Sequence, residues 1–146
     1  MLEEDGRVRR ASGPLALVIA PTRELALQVA RELDWLYKSA GARIATCVGG
    51  MNPQVERRAL AGGASIVVGT PGRLRDHLER GALDLSALSA VVLDEADEML
   101  DMGFREDLEE ILDATPDGRR TLLFSATMPK PIVALARRYQ NDALRI

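Results

Sequence analysis

The 146-residue sequence predicts an α/β protein, a parallel β-sheet with helices on both faces, and two observations carry that prediction. Five short runs of β-branched and aliphatic residues recur along the chain and read as buried strands. The segments between them place apolar residues at helical spacing. Strand and helix therefore alternate, which builds βαβ units with right-handed crossovers and gathers chemistry where the strands end.

The first run, Leu15–Ala20, precedes a helix whose apolar stripe is Leu25, Val29, Leu33 and Leu36. Trp35 and Tyr37 read as packing residues of that helix. The second run, Arg43–Val48, contains Cys47, read as a small buried hydrophobe, and leads into Gly49-Gly50. Asn52-Pro53 then marks a helix start, a capping side chain before a proline at the first helical position. Ser65–Gly69 is the third strand, Thr70-Pro71 repeats the capping device, and Gly81 closes the helix that follows. Within that helix His77 reads as a surface or packed residue. The fourth strand, Ala90–Leu93, ends in carboxylates and a helix over Glu95–Leu100. Phe104, Leu108, Ile111 and Leu112 then form another helical stripe, and the fifth strand, Thr121–Phe124, runs into Ser125-Ala126-Thr127.

Hydrophobic residues make up 47% and charged residues 28%, which fits one globular domain over residues 14–146, preceded by a charged leader, 1–13, expected to be flexible. No apolar run approaches the roughly 20 residues needed to cross a bilayer, and the acidic opening Glu3-Glu4-Asp5 is unlike a signal peptide. The expectation is a cytoplasmic protein with no membrane partner. One cysteine excludes an internal disulfide, and one histidine leaves no Cys/His cluster for zinc, so no structural metal is expected. The net charge is −3 and Lys38 and Lys130 are the only lysines, so any nucleic-acid site must be local and geometric.

Val91-Val92-Leu93-Asp94-Glu95-Ala96-Asp97 is the informative segment, an apolar strand ending in three carboxylates within four residues. At the carboxyl end of a parallel strand, Asp94 would hold a hydrated Mg²⁺ bridging nucleotide phosphates while Glu95 orients or deprotonates a water. The alternative is that Asp94 caps the helix and the other acids favour its positive N-terminus. Taken alone, an acidic helix start is far more often a cap than a catalytic site. The plain alternatives elsewhere are a capped turn at Thr70-Pro71-Gly72, a tight turn at Gly49-Gly50 and turn hydroxyls at Ser125 and Thr127.

Asp94-Glu95-Ala96-Asp97 spells the signature of the DEAD-box ATP-dependent RNA helicases, and its companions resemble that family's motifs in the family's order. Pro21-Thr22-Arg23-Glu24-Leu25-Ala26 resembles motif Ia, Gly49-Gly50 the paired-glycine motif, Thr70-Pro71-Gly72-Arg73 motif Ib, and Ser125-Ala126-Thr127 motif III. Each lies just beyond a predicted strand. The resemblance runs from about Pro14 to Ile146 and implies a RecA-like, P-loop NTPase-type three-layer sandwich, truncated at its N-terminus.

The resemblance further implies an enzyme coupling ATP binding and hydrolysis to RNA duplex unwinding, with ATP and Mg²⁺ as cofactors. Glu95 and Asp94 would be catalytic, Asp94, Glu95 and Asp97 would bind the cofactor, and Asp94 would hold the metal through water. Pro21, Thr22, Arg23, Gly49, Gly50, Thr70, Pro71, Gly72 and Arg73 would grip the RNA sugar-phosphate backbone without reading sequence. Helix N-termini at Thr22 and Pro71 offer free N–H groups to phosphate, and Arg73 a forked partner. Asp97, Ser125 and Thr127 would couple hydrolysis to strand separation.

The sequence holds no G-x-x-x-x-G-K-[ST] loop, which in the family lies upstream of motif Ia with the adenine-reading glutamine segment. The family's second RecA-like domain would follow Ile146. This chain alone is therefore expected to be inactive, and its Thr121–Phe124 strand is expected to stand at an unpaired sheet edge. Two alternatives stay open: a non-hydrolysing RNA or protein interaction module, and an unrelated metal-dependent hydrolase with Asp94, Glu95 and Asp97 as ligands.

Overall fold

A computed structural model describes residues 13–139; the leader up to residue 12, and residues 140–146, lie outside the described residues. Five strands and six helices alternate: β1 (Ala16–Ile19), α1 (Arg23–Tyr37), β2 (Ile44–Cys47), α2 (Pro53–Ala61), β3 (Ile66–Gly69), α3 (Pro71–Glu79), β4 (Ala90–Leu93), α4 (Ala96–Asp101), α5 (Arg105–Asp113), β5 (Arg120–Leu123) and α6 (Lys130–Tyr139). All five predicted strands form, each within a residue or two of its expected limits.

The strands make one sheet in the order β2-β3-β1-β4-β5, every pair parallel. Alternation along each strand divides the core between the two faces. Leu17 and Ile19 of β1 pack with Leu74, Met99, Leu108, Ile111 and Ile132 from α3–α6. Val18 and Ala20 pack on the other face with Ala26 and Ala30 of α1. Each fully buried aliphatic side chain contributes roughly 1.5–3 kcal/mol of transfer free energy, so both layers are held chiefly by burial.

Cover declines across the sheet. β3 is buried along its whole length, whereas every residue of β5 is at least partly exposed. The reason is placement: α1 packs against β2 and β3, and Val92 of β4, on the same face, is only half-buried. β5 closes the strand order at that end.

Helix starts follow the predicted chemistry with one exception. Thr22 caps α1 by accepting from the Leu25 amide at 3.2 Å, and Asn52 caps α2 by accepting from Gln54 at 2.9 Å. Thr70 precedes Pro71 as expected, but its side chain makes no capping bond. Gly81, at φ +75°, lies one residue beyond the C-cap of α3, a left-handed position that suits glycine.

Two side chains of α1 depart from expectation. Trp35 is 79% exposed and Leu36 60%, so neither is a packing residue, while Tyr37 does pack on the α1 face. Leu33 and Tyr37 face the core at this end of the helix, which leaves Trp35 and Leu36 on its outer side in solvent. Among the described residues no helix is long and apolar enough to cross a membrane.

Candidate functional site

Because every strand is parallel and in step, one row of residues ends the sheet: Cys47, Gly69, Ile19, Leu93 and Leu123. The ladder gains a further rung beyond that row. Thr70 donates to Cys47 O at 3.0 Å, Ala20 to Gly69 O at 3.0 Å, Asp94 to Ile19 O at 2.9 Å and Phe124 to Leu93 O at 2.9 Å. Every candidate segment thus leaves the sheet along one edge, within a few residues of this rung.

The carboxylate turn sits on the β4–β5 half. Glu95 occupies the left-handed region at φ 51°, ψ 52°, and is the only non-glycine residue with positive φ among the described residues. Such a backbone costs about 1–2 kcal/mol and persists only where its surroundings impose it. Here the Ala96 amide donates to Phe124 O at 3.0 Å, tying the turn to the end of β5. Glu95 itself is the N-cap residue of α4, with an exposed side chain that makes no capping bond. The helix-cap reading of Asp94 is therefore not what forms. Asp94 is half-buried, and neither it nor Glu95 has a side-chain hydrogen bond or ion pair among the described residues. Two hard oxygen donors left open at a strand end fit a hydrated Mg²⁺.

Asp97 faces elsewhere. Its Oδ2 accepts the Thr127 amide at 3.1 Å and the Thr127 hydroxyl at 2.9 Å, and its Oδ1 accepts the Glu98 amide at 3.0 Å. The Ser125 hydroxyl donates to Thr127 O at 2.6 Å. Partial burial pushes the Asp97 carboxyl upward, but the bonds from Thr127, Ser125 and the two amides outweigh it, and the net displacement is below the usual range. The Thr127 hydroxyl thus meets Asp97, while the Ser125 hydroxyl turns to the Thr127 carbonyl. Among the described residues Asp94, Glu95 and Asp97 do not come together as a compact three-ligand group, the arrangement that the metal-hydrolase alternative requires.

The other half of the edge brings together Pro21-Thr22-Arg23, Gly49-Gly50 and Thr70–Arg73. Pro21 and Pro71 are buried under their helix starts, whereas Thr22, Gly49, Gly50 and Gly72 are exposed. Gly50, at φ 83°, holds a left-handed backbone that favours glycine, and the tip of the exposed Arg23 side chain lies over it. Met51, which the sequence did not single out, joins the two arginines: Arg23 reaches its sulfur at 3.7 Å and Arg73 donates to its carbonyl at 3.2 Å. Arg73 is mostly buried, at 15% side-chain exposure, with Nε 3.6 Å from Glu56. Its guanidinium is thus engaged inside the protein rather than presented as an open fork.

Beneath this surface lies a cluster the sequence reading missed. Cys47, Glu56 and His77 are buried with their ligand atoms within 4.8 Å of one another, although a Cys/His grouping was not expected. His77 Nε2 and Glu56 Oε1 are 2.8 Å apart, and Glu56 Oε2 accepts the Val48 amide at 2.8 Å. Burial first, then the Glu56 charge, push the Cys47 thiol up to about 12, with Arg73 opposing. No pattern in the sequence separates Glu56 from the exposed acids of other helices; only folding turns it inward.

Known proteins resemble this arrangement closely. Residues 2–135 match the DEAD/DEAH box helicase family. The chain is 55% identical over 130 residues to the ATP-dependent RNA helicase DeaD of Escherichia coli (strain K12), covering 88% of this chain and 21% of that protein. It is 53% identical over 130 residues to DeaD of Haemophilus influenzae, with the same coverage. The crystal structure of a DEAD box protein from Methanococcus jannaschii superposes with a TM-score of 0.87 at 47% identity, covering 94% of this chain and 38% of that one. The chain thus spans about a fifth of the length of these curated relatives.

Proposed function

The chain belongs to the DEAD/DEAH box helicase family, and from that premise we propose that it supplies the catalytic carboxylates and the RNA face of a first RecA-like domain in an ATP-dependent RNA helicase. The whole protein would couple ATP binding and hydrolysis to duplex unwinding in the cytoplasm. The observation that carries this reading is the carboxylate turn, where an exposed Glu95 is held in a strained backbone and anchored to β5.

In the proposed mechanism Glu95 orients the water that attacks the γ-phosphorus and takes up its proton, while the bond to the β–γ bridging oxygen breaks and ADP leaves, and Asp94 would hold the metal. Mg²⁺ held there would supply positive charge against the negative charge that develops during phosphoryl transfer. Asp97 and Thr127, already bonded, relay the state of that turn to the Ser125–Thr127 segment. On the other half, the N-terminal amides of α1 and α3, with Gly49, Gly50 and Gly72, receive the sugar-phosphate backbone of single-stranded RNA without reading bases. Arg23 remains an exposed cation for that surface. Arg73 acts mainly by shaping the loop around Met51.

This chain alone would not hydrolyse ATP, because phosphoryl transfer draws most of its electrostatic stabilisation from the phosphate loop and its lysine. A second RecA-like domain would complete the RNA cleft in the full-length protein. The test is binding of a fluorescent single-stranded RNA with and without ATP and Mg²⁺, compared with a longer version carrying a phosphate loop. A nucleotide response in the longer version alone, with hydrolysis abolished by Glu95→Gln, is the expected result. Tight binding by this chain, indifferent to ATP and unchanged in the longer version, would instead make it an interaction module.

A further inference from the structure

Glu56 is the only carboxylate in the buried core among the described residues, and its surroundings are specific. Its two oxygens face different elements: Oε2 accepts the Val48 amide at the end of β2, and Oε1 pairs with His77 of α3 at 2.8 Å and lies 3.6 Å from Arg73 Nε. Arg73 in turn donates to Met51 O at 3.2 Å. One side chain of α2 therefore holds the residue before Gly49-Gly50 directly and the residue after them through Arg73. Between these two fixed points lie two exposed glycines, the most permissive backbone available, which would otherwise sample many conformations.

We propose that Glu56 is the positioning residue of the Gly49-Gly50 segment, a buried carboxylate that fixes both ends of the glycine pair and so sets the shape it presents to an RNA backbone. The clamp stands on the geometry alone; its consequence for RNA rests on the function proposed above. A divalent cation among Cys47, Glu56 and His77 is the competing use of the same groups. The contacts disfavour it, since both Glu56 oxygens already have protein donors and the Arg73 guanidinium supplies the positive charge at 3.6 Å.

Amide hydrogen exchange across this chain, with fluorescent single-stranded RNA binding beside it, tests the clamp. In Glu56→Ala the Val48 amide should exchange at least about tenfold faster relative to the β1 amides, whose own acceleration follows only the loss of global stability, as expected for losing a local bond to a charged acceptor. Glu56→Gln retains an oxygen acceptor and should restore protection to within about threefold of the parent. Should Glu56→Ala not fold, Glu56→Asp carries the same test, because it keeps the charge but is one methylene too short to hold Val48 and His77 together. Uniform acceleration of β1 and Val48–Met51 alike would overturn the proposal, reducing Glu56 to a general stabilising residue. A saturable one-to-one Co²⁺ charge-transfer band that disappears in Cys47→Ala would also overturn it, in favour of a metal site. If the exchange pattern appears as expected but the parent chain binds no RNA, the clamp holds and the RNA-face reading fails.

Discussion

Glu56 and Asp97 perform the same mechanical task at opposite halves of the strand edge, in opposite surroundings. Each carboxylate accepts hydrogen bonds from a segment just beyond a strand end and fixes it to a helix. Glu56 is 3% exposed and answered by an arginine and a histidine, whereas Asp97 is half-buried and answered by a threonine and backbone amides. Burial makes the first contact costly to open, since an unpaired group would be left in a dry interior. Partial exposure lets water replace Thr127 at Asp97 at little cost. The proposed RNA half is thus built to stay put and the proposed hydrolytic half to let go.

The largest expected effect breaks the comparison at its buried end. Glu56→Leu leaves the Val48 amide, His77 and Arg73 without their shared acceptor and should lower stability by about 3–5 kcal/mol, read from urea unfolding followed by circular dichroism. A loss below about 1 kcal/mol would show that the buried network is no stiffer than the exposed one. Glu95→Gly should move the other way, raising stability by about 1 kcal/mol or less, because glycine relieves the left-handed backbone while giving up some chain entropy. A clear destabilisation would mean that the turn is not strained.

Asp97→Asn keeps an oxygen for Thr127 and should alter stability by no more than about 0.5 kcal/mol, even though it loosens the Ser125–Thr127 segment in exchange measurements. Acid and alkali separate the two halves further. The Asp97 carboxyl is lowered in the fold, so its contribution is present above its ordinary value of 3.8 and vanishes only as pH falls through the lower folded value. The Cys47 thiol is raised, so its contribution is intact below its ordinary value of 9.0 and is lost as pH climbs towards about 12. Unfolding midpoints measured across both ranges should therefore fall at the two extremes and stay level between them. Alkylation of Cys47 in the folded chain should be slow at neutral pH and become fast only on denaturation.

Local signals carried most of the fold, because strand runs and capped helix starts depend on neighbours in sequence. Asn52-Pro53 shows why: residue type, proline and helix position agree within three residues. Thr70-Pro71 has the same pattern of a capping residue before proline, yet its side chain forms no cap, so the pattern located the helix without settling the bond. The carboxylate turn was legible as letters, but the left-handed backbone of Glu95 was not, since it is imposed by Phe124 from another strand. His77 is packed, one of the two placements expected for it, but its pairing with Glu56 was missed for a related reason. They stand 21 positions apart and meet only when α2 and α3 close over the end of β2. Trp35 failed in the opposite direction: its residue type argued for burial, while its side of α1, opposite Leu33 and Tyr37, faces solvent.

That exposed position has a spectroscopic consequence. Trp35 is the chain's single tryptophan and is 79% exposed, so its indole already sits in water when the protein is folded. Its emission should scarcely change as the chain unfolds, which makes it a poor reporter of folding. A blue shift under native conditions would then signal something that has settled over the outer face of α1, with no dye attached.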